Sequence, residues 1–257
     1  MTTAAIVQAR LGSTRLPGKV LLDLGGVTVL ARVLERCRAV PGVDRVVCAV
    51  PDNAADDPVA AEAERCGVPV CRGSETDVLD RYRKAAEMAG ADVILRVTSD
   101  CPLIDPEVCG QVLALRAATD AAYACNNMPA TWPHGLDCEA FPRAWLEGAA
   151  REAVKPSERE HVGPFIRNHP EARKANLPCP DGDHHFRRWT LDHPEDYAFL
   201  KEIYARLPAG PAAFAWKAAL AVVLREPELA RINAGFDPLE GLKKSLAADR
   251  RAGHSQE

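Results

Sequence analysis

The chain has 257 residues, which suits one large α/β domain or one domain with a small appendage. Hydrophobic residues make up 47%, enough for a sizeable core, and a net charge of -4 excludes bulk attraction to nucleic acid. No apolar run is long enough to span a bilayer, and no basic leader or cleavable apolar segment precedes the first strand. A cytoplasmic protein with neither a membrane nor a nucleic-acid partner is expected.

Strand and helix patterns alternate through the first half. Residues 6–9 read as a strand, 27–40 as an amphipathic helix, 45–50 as a strand and 58–66 as a helix. A short strand at 68–71 precedes a helix over 77–89, and 92–98 is a strong strand. Pro106 opens a helix to 118, and 121–125 closes the series as a strand. Near-continuous apolar strands alternating with helices predict a mostly parallel sheet covered on both faces. In the second half, 136–141 alternates like a strand, 143–151 is helical, and Ser157 with Glu160 suggests a capped helix to about 168. A strand over 185–191, a helix over 194–207, and further helices over 212–224 and 227–233 complete the pattern, with residues 252–257 expected to fray.

The first strand runs into Arg10-Leu11-Gly12-Ser13-Thr14-Arg15-Leu16-Pro17-Gly18-Lys19. Glycines let backbone N–H groups approach an anion, arginines fork onto phosphate, and lysine adds a movable point charge. Three cations this close would repel one another without an anion between them. The loop therefore reads as a polyphosphate cradle. It is not a P-loop, because five residues separate Gly12 from Gly18 and Val20 follows Lys19 where a hydroxyl is needed. The dinucleotide fingerprint is also absent.

A polyphosphate calls for a divalent cation, and Mg2+ takes one or two carboxylates plus phosphate oxygens and water. Two aspartates follow strand patterns: Asp100 before Cys101-Pro102, and Asp192 before the proline-led helix at 194. Asp192 also fits a plain N-cap. Asp137 and Glu139, two apart in a strand pattern, share a face and suit a second metal, substrate hydroxyls or solvent. Arg159 and His161 begin a helix and suit an anion and a proton, or simply a solvated face. The nine cysteines contain no C-x-x-C pair and read as small core residues, although Cys101 stands beside Asp100.

The opening resembles the signature of the KDO and acylneuraminate cytidylyltransferases, and more closely that of the SpsF family of spore-coat polysaccharide biosynthesis. The motifs that carry the likeness are Gln8 to Lys19, Gly73-Ser74-Glu75-Thr76-Asp77-Val78-Leu79-Asp80-Arg81-Tyr82, and Thr98-Ser99-Asp100-Cys101-Pro102-Leu103. Later come Gly135-Leu136-Asp137-Cys138-Glu139, Arg159-Glu160-His161-Val162, Arg188-Trp189-Thr190-Leu191-Asp192, and the stretch from Glu240 to Leu246. The dimer-forming, sugar-specific segments of the KDO and acylneuraminate enzymes are not recognisable. The resemblance implies a Rossmann-like nucleotidyltransferase sheet over residues 1–207 and a helical extension over 208–257. It implies CTP held by Arg10, Leu11, Gly12, Ser13, Arg15 and Lys19, with Gly73, Asp77 and Arg81 near base and ribose. Mg2+ would rest on Asp100 and Asp192. A sugar acceptor, acidic in the nonulosonate or KDO manner, would lie over His134, Asp137, Glu139, Arg159 and His161. The implied reaction is CMP transfer with release of pyrophosphate by a homodimer, with Lys19, Arg15, Asp100 and Asp192 catalytic. A nucleotide-sugar-dependent glycosyltransferase of similar fold is the alternative, although the Asp-x-Asp strand end typical of such enzymes is missing.

Overall fold

The computed structural model of the protein describes residues 1–208, 214–236, 240–251 and 253. At its centre is β1 (Thr3–Gln8), whose Ala4, Ala5, Ile6 and Val7 are wholly buried. Side chains alternate across a strand, so Ala5 and Val7 enter one apolar layer while Ala4 and Ile6 enter another. Strands β2 (Arg45–Pro51) and β4 (Val93–Thr98) flank β1 in parallel, and β3 (Val70–Gly73) lies parallel outside β2. Beyond β4 the direction changes. β6 (Glu139–Pro142) runs antiparallel to both β4 and β5 (Tyr123–Cys125), and β7 (Lys174–Asn176) lies parallel to β5. The order is β3-β2-β1-β4-β6-β5-β7.

Helices α1 (Val29–Arg38), α2 (Asp57–Arg65) and α4 (Pro106–Thr119) bury their apolar sides on one face of the sheet. Helices α3 (Val78–Ala89), α5 (Arg143–Glu152) and α7 (Gly163–Asn168) cover the other. A third apolar cluster joins α8 (Pro194–Arg206) and α9 (Trp216–Arg225) to Leu103, Trp132, Leu136 and Trp189. Helix α10 (Glu240–Arg251) packs on α6 (Pro156–His161) through bonds from Ser157 N and Oγ to Asp249 at 2.8 and 2.5 Å.

The α/β sheet with both faces covered is as the sequence predicts, with local differences. The helix expected from 157 to 168 is two short helices, because Val162 takes a positive φ of 67° and Pro164 restarts the next helix. Residues 185–191 do not form a strand; only Arg188 bridges, to His134. The 136–141 strand begins at Glu139, so Asp137 lies before it and the two acids do not share a strand face. β7 was not expected; it is a three-residue edge strand with mixed exposure. Residues 212 and 213 of the expected helix and the fraying tail (252 and 254–257) lie outside the described residues.

Asp105 fastens the carboxyl-terminal helices to the sheet domain. Its side chain caps α4 by accepting from Glu107 N at 2.9 Å and Val108 N at 3.1 Å, and also accepts from Trp216 N at 2.6 Å. Asp105→Ala removes a cap and strands a buried N–H, so urea unfolding should show a loss of about 2–3 kcal/mol. Wild-type stability in that variant would contradict this role.

Candidate active site

Parallel pairing sets Gln8 of β1 level with Thr98 of β4, so the loops that follow them leave the sheet side by side. Lys19 reaches across. Its Nζ donates to Asp100 Oδ2 at 3.0 Å, Asp192 Oδ1 at 2.8 Å and the Leu191 carbonyl at 2.7 Å. Arg15 Nη2 stands 3.0 Å from Asp192 Oδ1. Four residues predicted to be catalytic, from three separate stretches of chain, thus meet at one point.

Backbone bonds fix the two carboxylate loops together. Leu191 N donates to Asp100 O at 2.8 Å, and Thr190 Oγ1 to the same carbonyl at 3.2 Å. Thr98 Oγ1 donates to Asp100 Oδ1 at 2.5 Å. Burial alone would raise the Asp100 pKa, but the Lys19 charge and the Thr98 and Lys19 hydrogen bonds outweigh it and hold this carboxyl well below the usual range. Lys19 is raised for the complementary reason: burial opposes its charge, and the two aspartates more than offset that.

Asp192 is set from behind. Asp196, wholly buried at the first turn of α8, takes a two-pronged contact from Arg188 with both bonds at 2.8 Å. The same carboxylate accepts from the Asp192 and His193 N–H groups, each at 2.9 Å. Its pKa is lowered, since these bonds exceed the burial penalty. Gly135 admits this segment. Its φ is +113°, and a Cβ there would meet the Trp189 carbonyl carbon at 2.6 Å and Thr190 N at 2.8 Å.

The cradle loop is open to a ligand. Leu11 N donates to buried Asp56 at 2.5 Å, and Ser13 Oγ accepts from Leu16 N at 3.3 Å. Among the described residues, the N–H groups of Gly12, Ser13 and Thr14 and the Arg10 side chain have no hydrogen-bond acceptor in the protein. A Cβ at Gly12 would meet nothing within 4 Å.

Three residues expected near base and ribose are engaged within the fold. Arg81 is buried and donates to Ser74 O at 2.7 Å, with its pKa lowered by burial. Asp77 caps α3 through Asp80 N at 2.9 Å and pairs with Arg159. Gly73 packs against the Arg81 side chain. Arg159 also donates to Ala150 O at 2.8 Å, so it is held by the end of α5 as well as by Asp77.

The remaining residues expected to face an acceptor lie around β6. Glu139 is buried and pairs with Arg96 at 2.7 Å. His134 and Asp137 stand 3.9 Å apart, and Asp137 accepts from Gly135 N at 2.8 Å. His161 bonds Ser245 at 2.8 Å, and burial followed by the Arg96 charge lowers its pKa. Burial, then Asp100 and Asp137, push the Cys101 thiol up, a setting that disfavours the thiolate a nucleophile needs.

Arg96 and Asp56 are not singled out by the sequence, Arg188 enters only as part of a motif, and Asp196 only as an acid suited to a helix start. Arg96 left a signal, a charge in the middle of the most apolar strand; Asp56 left none. A cleft of about 470 Å³ beside Arg38, Arg45 and Met88, at the amino end of β2, contains none of the predicted residues.

A cationic loop after β1, facing a strand-end aspartate after β4 on a mostly parallel sheet, defines an α/β nucleotidyltransferase-like protein. The chain belongs to the cytidylyltransferase family, whose model matches residues 4–209. It is 35% identical over 218 residues to the spore coat polysaccharide biosynthesis protein SpsF of Bacillus subtilis, covering 80% of this chain and 88% of that one. It is 39% identical to the 3-deoxy-manno-octulosonate cytidylyltransferase of Anaeromyxobacter sp., covering 81% and 98%. A solved cytidylyltransferase from Leptospira borgpetersenii superimposes with a TM-score of 0.86 at 31% identity, covering 92% of this chain and all of that one. The CMP-KDO synthetase solved with CTP shares the fold, with a TM-score of 0.58 at 19% identity over 80% of this chain and 98% of that one.

Two outcomes test this geometry. Gly135→Ala forces a Cβ into the 189–190 backbone and should cost roughly 3 kcal/mol in urea unfolding; a wild-type midpoint would contradict the close approach. The stability from ionised Asp196 is present above the unfolded carboxylate pKa of about 3.9 and is lost as pH falls through its lower folded value. Urea midpoints of wild type and Asp196→Asn should therefore stand apart at neutral pH and converge below about pH 4. A gap that is constant with pH would contradict the assignment.

Proposed function

We propose that the protein transfers CMP from CTP to a sugar hydroxyl and releases pyrophosphate, supplying an activated sugar for surface polysaccharide or glycan assembly. The observation that carries this reading is the meeting of Lys19, Arg15, Asp100 and Asp192 beside a loop with unspent N–H donors. Kinship to KDO cytidylyltransferases supports CTP and an acidic, nonulosonate- or KDO-like acceptor. The homodimer and the cytoplasmic setting belong to the same reading and rest on the family resemblance.

Magnesium fits the residues present. Two carboxylates from different loops converge on one cation, the Lys19 ammonium. Among the described residues no cluster of three or more His, Cys, Asp or Glu is arranged to hold a metal. A two-carboxylate site completed by phosphate oxygens and water is what this ion accepts. Asp100 and Asp192 would hold it, and when bound it would neutralise phosphate charge and lower the pKa of the attacking hydroxyl.

The chain's own groups supply the rest. Gly12, Ser13 and Thr14 N–H groups and Arg10 bind the triphosphate and align it. The acceptor hydroxyl oxygen attacks the α-phosphorus opposite the departing pyrophosphate; its proton passes to solvent as the new P–O bond forms and the α–β bridge breaks. Lys19, on a flexible stem, and Arg15 follow the charge that develops on pyrophosphate. Asp137 and Glu139 orient sugar hydroxyls.

Lys19→Ala and Asp100→Ala should each lower turnover by about 10²–10³ or more while the protein stays folded. Pyrophosphate release would be measured with four nucleoside triphosphates against a panel of acidic and neutral sugars. CTP-dependent release with an acidic sugar is expected. Full activity in either variant, or release with every nucleotide but CTP, would reject the proposal.

A further inference from the structure

Asp196 receives its fifth hydrogen bond from outside the family-matched region. Asn233 Nδ2 donates to Asp196 Oδ1 at 2.9 Å and to the Arg188 carbonyl at 2.9 Å. Asn233 is 3% exposed, and the family match ends at residue 209. Three residues further on, Phe236 stacks on the His193 ring, with centroids 3.9 Å apart and planes 15° apart. The Arg188 guanidinium lies 5.4 Å from the centre of the Phe236 ring. The carboxyl-terminal segment thus touches residues 188, 193 and 196, which surround Asp192 on both sides. Asp196 in turn holds the Asp192 and His193 N–H groups.

A capped helix start explains the bonds from residues 192 and 193 to Asp196. It does not explain a buried amide from residue 233 spanning Arg188 and Asp196, nor a ring laid over His193. We propose that residues 233–236 of the carboxyl-terminal extension complete the active site, with Asn233 a positioning residue that fixes the Asp192 carboxylate toward Lys19 and the metal. The proposal rests on the reading of Asp192 as a metal ligand. Partners behind a metal ligand commonly change affinity 10–100-fold when removed, and a misplacement of about 1 Å can cost 10²-fold in rate.

The test compares Asn233→Leu, which keeps the branched heavy-atom shape and removes both donated hydrogen bonds, with Leu229→Ala. Leu229 lies in the same extension, buried in the apolar cluster and outside these hydrogen bonds. Hydrogen–deuterium exchange of the amides at 192 and 193 gives a readout independent of metal and turnover. Mn2+ affinity in the presence of CTP and kcat for pyrophosphate release give the functional readouts. Asn233→Leu should speed exchange at 192–193, weaken Mn2+ about tenfold and lower kcat, with KM for CTP near wild type. Leu229→Ala should lower Tm alone. The proposal is overturned if a folded Asn233→Leu shows wild-type exchange, or if exchange rises while Mn2+ affinity and kcat stay at wild type. If Asn233→Leu does not fold, Phe236→Ala is scored the same way. If wild-type protein binds no Mn2+, the metal reading fails, and exchange with kcat still decides whether the segment positions Asp192.

Discussion

One ammonium group held by two carboxylates organises the candidate site of this molecule. Lys19 follows the first strand, Asp100 the fourth, and Asp192 a segment about ninety residues later, yet both acids lie within hydrogen-bond distance of Lys19 Nζ. Like charges from distant loops do not approach each other without a cation between them. Lys19 supplies that cation, which is why Asp100 stays ionised despite its burial. The cluster is therefore a structural clamp between three distant stretches of chain.

The sheet does the coarse placement. Register between β1 and β4 puts two loops at one edge, where ligands of open α/β sheets bind. The fine placement comes from irregular chain. Gly135 lets the backbone of residues 189–190 come closer than any side chain allows, and Asp196 turns the Asp192 N–H toward itself. The reversal of direction at β6 has its own consequence. It sets Arg96 opposite Glu139 in the ladder, so the acid expected to face a sugar is half committed to a buried ion pair.

Residues whose meeting follows from their place after strands were legible in the sequence. Lys19, Arg15 and Asp100 follow strong strands, and strand ends at one edge of a parallel sheet must share a neighbourhood. Asp192 was legible through the proline-led helix after it, although the strand proposed before it does not form; Arg187 and Trp189 instead bond to His134, and Thr190 and Leu191 to Asp100. What stayed hidden depends on partners far away in sequence. Arg159 reads as an anion receptor and is in fact paired with Asp77 and the end of α5. Pro164 gave a signal for the break at Val162 that the helical pattern masked. Nothing in the local pattern around Asn233 points to Asp196, because that contact depends on how α8 and α9 pack.

The most direct measurement is the anomalous-scattering map of crystals grown with CTP and Mn2+. The account predicts the ion between the Asp100 and Asp192 carboxylates, with the triphosphate on the loop from Arg10 to Lys19. An ion or triphosphate bound elsewhere, as in the cleft beside Arg38 and Met88, would contradict it.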